Sequence, residues 1–162
     1  MGWSDSNWAQ DPDDHCSTSR FVFNVAGSSI SWSSKKQQTI ATLSVETEYV
    51  ASANATREAM WLHILLTELD FPPTTTTIIF ADNQGCIALA SNLVLHSQVK
   101  HINIQHHFIW EHVECQEVGL HYISTKEMVA DIFTKALPKD SFKKFQTELG
   151  VLLLVSQLYQ DQ

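Results

Sequence analysis

Polar and apolar residues are arranged along the chain in patterns that change period several times. Trp3 to Trp8 reads as a short strand, and Asp11-Pro12-Asp13-Asp14 as a turn. The runs Phe21–Val25 and Ser29–Ser33, joined by Ala26-Gly27-Ser28, predict a β-hairpin. Lys35-Lys36-Gln37-Gln38 is a polar link. Helical spacing then takes over from Ser44 to Leu69, with Ser44 as the expected N-cap and Phe71-Pro72-Pro73 as the stop. Thr76–Ala81 predicts a strand, with a helix starting at Asp82. A second long helix is expected over Gln98–Glu117, where Val99, Ile102, His106, Ile109 and Val113 share one face. Strand Val118–Ile123, helix Met128–Leu137 (ended by Pro138) and a last helix Ser141–Leu149 complete the pattern.

The first three strands are joined by short links and are expected to be antiparallel. The later strands are separated by helices and are expected to be parallel. The predicted fold class is therefore α/β: a mixed five-stranded sheet with helices on it. One domain over residues 1–150 and a C-terminal tail over 151–162 are expected.

Composition narrows the function classes. At 44% hydrophobic residues with few Gly and Pro, the chain has the makeup of a folded domain rather than a disordered one. No apolar run approaches the roughly 20 residues of a membrane span, and no basic region followed by an apolar run marks a signal peptide. The expectation is a non-secreted chain with no membrane partner, in the cytoplasm or nucleus. Cys16, Cys86 and Cys115 lie far apart without a C-x-x-C pair, which argues against a disulfide framework. The formal net charge of −8 has the wrong sign for a broad basic nucleic-acid surface, but suits a protein that gathers cations with carboxylates.

One acidic residue stands in each of four predicted elements: Asp5, Glu48, Asp82 and Asp131. Four converging carboxylates bind two hard divalent cations, and such a pair clamps both oxygens of a phosphodiester displacement. Alone, Asp82 also reads as a helix cap, Asp131 as a solvated residue and Asp5 as part of a turn. Glu46 competes with Glu48. On a helical projection Ala51, Ala55, Ala59, Leu62, Leu66 and Leu69 lie within roughly 60° of Glu48, whereas Glu46 points about 160° away. Glu48 is therefore placed on the sheet-facing stripe.

These residues sit in recognisable words. Trp3-Ser4-Asp5-Ser6-Asn7-Trp8-Ala9, Ser17-Thr18-Ser19, Ile30-Ser31-Trp32-Ser33-Ser34-Lys35-Lys36-Gln37 and Glu46-Thr47-Glu48-Tyr49-Val50-Ala51 resemble the ribonuclease H domain of copia-type LTR retrotransposon Pol polyproteins. So do Ala81-Asp82-Asn83-Gln84, Lys100-His101-Ile102, His106-His107-Phe108-Ile109 and Ala130-Asp131-Ile132-Phe133-Thr134-Lys135. The resemblance covers about residues 2 to 150. It implies a ribonuclease H-like fold, two Mg²⁺ or Mn²⁺ ions on Asp5, Glu48, Asp82 and Asp131, and hydrolysis of the RNA strand of RNA–DNA hybrids. It also implies a reverse transcriptase domain of the same polyprotein as partner. Two positions depart from the family pattern: Arg20 stands where a glycine is usual, and Ser124-Thr125-Lys126-Glu127 lacks the histidine that many ribonucleases H carry. Ser6, Asn83, Gln84, Lys35 and Lys36 are the expected substrate contacts. Two rival readings remain open. One is a zinc module built on His96, His101, His106, His107, His112 and Glu111; the other is an inactive remnant serving as a nucleic-acid or protein binding module.

Overall fold

The computed structural model of the protein describes residues 1–7, 16–37, 43–91, 103–133 and 135–151, the side chains of 103–106 excepted. Its strands are β1 (Gly2–Asn7), β2 (Thr18–Val25), β3 (Ser28–Lys36), β4 (Thr77–Ala81) and β5 (Val118–Tyr122). Its α-helices are α1 (Ser44–Glu68), α2 (Gln84–Ser91), α3 (Asn103–Glu114) and α4 (Lys139–Glu148). The strands form one sheet in the order β3-β2-β1-β4-β5. β1–β2 and β2–β3 pair antiparallel, β1–β4 and β4–β5 parallel. This is the expected mixed sheet of a ribonuclease H-like fold.

β1 is central, so both of its faces are covered and Gly2 to Ser6 are all buried. Its alternation assigns the faces. Trp3 packs with Val22, Met128, Val129, Ala130, Phe145 and Leu149, the layer built by α4 and the segment before it. On the opposite face Phe23, Ile79 and Val118 meet Ala55, Ala59 and Leu62 of α1. The alanines let the helix approach the sheet closely, and a buried Ser4–Ser52 hydroxyl pair at 3.2 Å joins β1 to α1. Gly2 leaves room for the ring of Phe23, its cross-strand partner: a Cβ there would lie 2.5 Å from it.

The structure corrects several expected boundaries. The N-cap of α1 is Leu43, which makes no side-chain cap bond; Ser44 is the first helical residue. The buried stripe of α1 stops at Leu62, and Leu69 is exposed. α3 ends at Glu114 rather than Glu117, because Gln116 turns into the left-handed region at φ 59°. Residues 98–102 of the expected helix lie outside the described residues, as do the expected turn at 11–14 and the tail beyond Val151. In place of the expected α-helix Met128–Leu137 the described residues form a 3₁₀ turn over Val129–Phe133, preceded by another over Thr125–Glu127. Met128, Val129, Ala130 and Asp131 are consecutively buried, a run that covers more than one side of a helix and is met here by the tighter winding.

Candidate active site

Three of the four expected carboxylates converge because of how the sheet is wired. Asp5 lies near the carboxyl end of β1, and Asp82 directly follows β4, the parallel neighbour of β1. Adjacent parallel strands thus deliver both acids to the same edge, where α/β sheets tend to place their sites. Glu48 arrives from the buried stripe of α1, as the helix projection required; Glu46 is less buried. Ligand oxygens of Asp5, Glu48 and Asp82 lie within 4.8 Å of one another. Asp82 is not the helix cap. Asn83 has that role: its Oδ1 accepts the Cys86 N–H at 3.0 Å and its carbonyl accepts the Ile87 N–H at 3.2 Å. Asp82 is left for other work, with one Oδ accepting the Thr125 hydroxyl at 2.8 Å.

The electrostatics are those of an anionic pocket. Burial pushes the Glu48 carboxyl up to about 8; the charges of Asp5 and Asp82 add to the rise, and hydrogen bonds from Ser6 oppose it. Burial also pushes Asp5 up to about 7; Arg20 pulls it down, while Asp131 and Asp82 push it further. Glu48 Oε2 is buried without a hydrogen-bond partner. An unpaired buried carboxylate oxygen is unfavourable, and a divalent cation is the kind of group that would satisfy it. Asp5, Glu48 and Asp82 therefore fit one hard cation. Among the described residues, no other set of three acidic, histidine or cysteine side chains converges as closely.

Asp131 lies on the far side of Asp5 with a different set of neighbours. Asp5 and Arg20 are direct cross-strand partners, so their side chains share a face. The fully buried Arg20 places one guanidinium nitrogen 2.8 Å from Asp5 Oδ2 and 2.9 Å from Asp131 Oδ1. The contact with Asp131 is an aligned hydrogen bond; that with Asp5 is a close ion pair without hydrogen-bond alignment. Lys135 Nζ adds a second cation 2.6 Å from Asp131 Oδ1. Arg20, Lys135 and Thr125 were not among the expected site residues. Two signals bear on them: Arg20 shares the inward parity of Val22, and Lys135 is four residues from Asp131.

Known proteins resemble this chain over nearly its whole length. It is 40% identical over 149 residues, 92% of the chain, to the retrovirus-related Pol polyprotein from transposon RE1 of Arabidopsis thaliana. It is 38% identical over 150 residues, 93% of the chain, to that from transposon RE2 of the same plant. The chain matches one segment of the retrovirus-related Pol polyproteins of transposons. It corresponds to their ribonuclease H-like segment and spans about 10% of the length of the curated relatives it matches. No family model matches it. A crystal structure of LC11-RNase H1 in complex with RNA/DNA hybrid aligns with 78% of this chain and 86% of its own, at TM-score 0.49 and 12% identity.

The remaining expected contacts of this Pol segment are distributed unevenly. Gln84 is exposed at the start of α2, beside Asp82. Ser6 is buried and its hydroxyl donates to Thr47 at 2.9 Å, tying β1 to the first turn of α1. Asn83 spends its side-chain oxygen on the helix cap. Lys35 and Lys36 line an open groove of about 660 Å³ with Ser19, Asn54, Arg57 and Trp61. Of the histidines, His96 and His101 lie outside the described residues, as does the side chain of His106. His107 and Glu111 are exposed, and His112 pairs with Glu117 at 2.6 Å. Among the described residues no helix is long and apolar enough to cross a membrane.

Proposed function

We propose that this Pol segment, taken as a domain over 1–150, is a ribonuclease H: a metal-dependent endonuclease that hydrolyses the RNA strand of RNA–DNA hybrids during reverse transcription. It would work beside the reverse transcriptase domain of the same polyprotein. The observation that carries this reading is the meeting of Asp5, Glu48 and Asp82, from three separate elements, within 4.8 Å. These three carboxylates would hold Mg²⁺ or Mn²⁺, with Asp131 joined to them through Arg20. A divalent cation bound there supplies an acidified water and neutralises charge on a phosphate. The chain's own part is to fix the carboxylates. β1 and β4 set Asp5 and Asp82, the Ser6–Thr47 bond anchors α1 next to Glu48, and Thr125 steadies Asp82. Lys35 and Lys36 would meet backbone phosphates in their groove, and Gln84 would face the strand at the site. Recognition of the RNA strand would use its 2′-hydroxyls and the shape of the hybrid.

The test is cleavage of an end-labelled RNA–DNA hybrid in Mg²⁺. Asp82→Asn keeps the shape and removes a charged oxygen, so activity should fall at least ~10²-fold, the scale of losing one strong electrostatic stabiliser. Undiminished cleavage by that variant, or in excess EDTA, contradicts the reading. One observation favours the weak or inactive alternative: the guanidinium of Arg20 already sits between two of the acids. On that alternative the chain binds the hybrid and cuts neither strand.

A further inference from the structure

Arg20 is an unusual residue to find with no solvent exposure among carboxylates. Its Nε and second terminal nitrogen are buried without hydrogen-bond partners, so it is not held there by a full set of donors and acceptors. What holds it is charge and a single aligned hydrogen bond: one nitrogen lies 2.8 Å from Asp5 Oδ2 and donates to Asp131 Oδ1 at 2.9 Å. One cationic centre thus stands between two acid oxygens, the place a bridging metal ion would take at its own shorter metal–oxygen distances of about 2.0–2.2 Å. Both partners are themselves buried, so the attraction is weakly screened. The charge balance agrees. Asp5, Glu48, Asp82 and Asp131 carry four negative charges when ionised, and Arg20 and Lys135 offset two. The remainder matches one divalent cation and leaves nothing for a second.

We infer that the guanidinium of Arg20 holds the place of a second cation between Asp5 and Asp131, so that the folded chain takes one divalent ion, at the Asp5–Glu48–Asp82 corner, and not two. The inference rests on the proposed metal-dependent reading of the same site. Arg20 is a positioning residue here: one of its nitrogens contacts both Asp5 and Asp131 and links the two. A second ion could enter only if Arg20 left a fully buried position on a central pair of strands, abandoning Asp131 as it went.

The experiment is a count of bound Mn²⁺ by the loss of its free electron paramagnetic resonance signal, on the full 162-residue chain in about 0.15 M salt, where weakly held surface ions are screened. The native chain should take one equivalent, and Asp82→Asn should lose it by at least ten-fold in affinity. Arg20→Lys keeps a cation and should stay at one. Arg20→Ala should take two, and adding Asp131→Asn to it should return the count to one. Two equivalents on the native chain overturn the inference while leaving the metal reading intact. One equivalent of unchanged affinity on a folded Arg20→Ala chain overturns it as well. No binding by native protein, or binding indifferent to Asp82→Asn, overturns the metal reading and the inference with it. The native count decides the matter even where Arg20→Ala does not fold.

Discussion

Asp5 has two neighbourhoods. Toward Glu48 and Asp82 it meets only other carboxylates, with Glu48 Oε2 left without a partner and both buried acids pushed well above their ordinary range. Toward Arg20, Asp131 and Lys135 it meets a neutralised cluster, in which every acid is within 3 Å of a cationic nitrogen. The residue types on the two sides are the same acids on the same sheet edge. The difference is whether the fold supplies its own positive charge. Where it does, removing a member breaks a buried ion pair; where it does not, removing a member relieves repulsion. One side carries its own counter-charge in the free chain, and the other does not.

The largest effect should come from the neutralised side. Asp131→Asn leaves the buried Arg20 with a weaker partner and should destabilise the chain by about 3–5 kcal/mol, the usual loss on breaking a buried pair. Asp82→Asn should leave metal-free stability unchanged or raise it. Chemical denaturation of both variants without metal checks this, and similar losses in the two would erase the contrast. Four acids without counter-charge would repel one another and make Asp131→Asn stabilising; Arg20 reverses that sign.

The two glutamates of α1 come next. Glu48→Gln should cut hybrid cleavage by roughly 10²- to 10³-fold, whereas Glu46→Gln should change it little. Rates of the two variants on the same labelled hybrid would show it, and a lethal Glu46 change would displace the site from the buried stripe.

The smaller effect is on pH. The ordinary values are 3.8 for Asp5 and 4.5 for Glu48, and the folded chain raises them to about 7 and about 8. A carboxyl raised on folding contributes stability at low pH that is lost as pH rises through its folded value. The metal-free chain should therefore melt lower at pH 8.5 than at pH 5.5, a window of about three units spanning both folded values. Mg²⁺ should flatten that slope, because it holds both groups ionised. Melts across the window with and without Mg²⁺ measure it; a metal-free melting point that climbs with pH contradicts the assignment.

Much of this site was legible in the sequence, and for stated reasons. Glu48 could be chosen over Glu46 because helical spacing alone places it over Ala51, Ala55 and Ala59, all fully or nearly fully buried. The hairpin followed from Gly27, which with Ala26 adopts the positive φ of a two-residue turn. Asp82 was readable as more than a cap once β4 was recognised, though Asn83 as the actual cap depends on a hydrogen bond only the folded turn displays. The region around Asp131 was misread because Met128, Val129 and Ala130 look like the start of an apolar helix, when they are packed under β1 and β2 by 3₁₀ winding. Arg20 was visible as a departure from its family. What it does depends on strand register, Asp5 against Arg20, and register is a long-range property that local pattern does not carry.

The most direct test of the three-carboxylate corner is a thermal melt with and without Mg²⁺, at matched ionic strength, of the native chain and Asp82→Asn. A ligand at ten times its dissociation constant stabilises by about 1.4 kcal/mol, which for a chain of this size raises the melting point by roughly 3–6 °C. The native protein should show that rise and Asp82→Asn should lose most of it. An equal rise in both would place the cation away from Asp82, and the meeting of Asp5, Glu48 and Asp82 would then have no metal to hold.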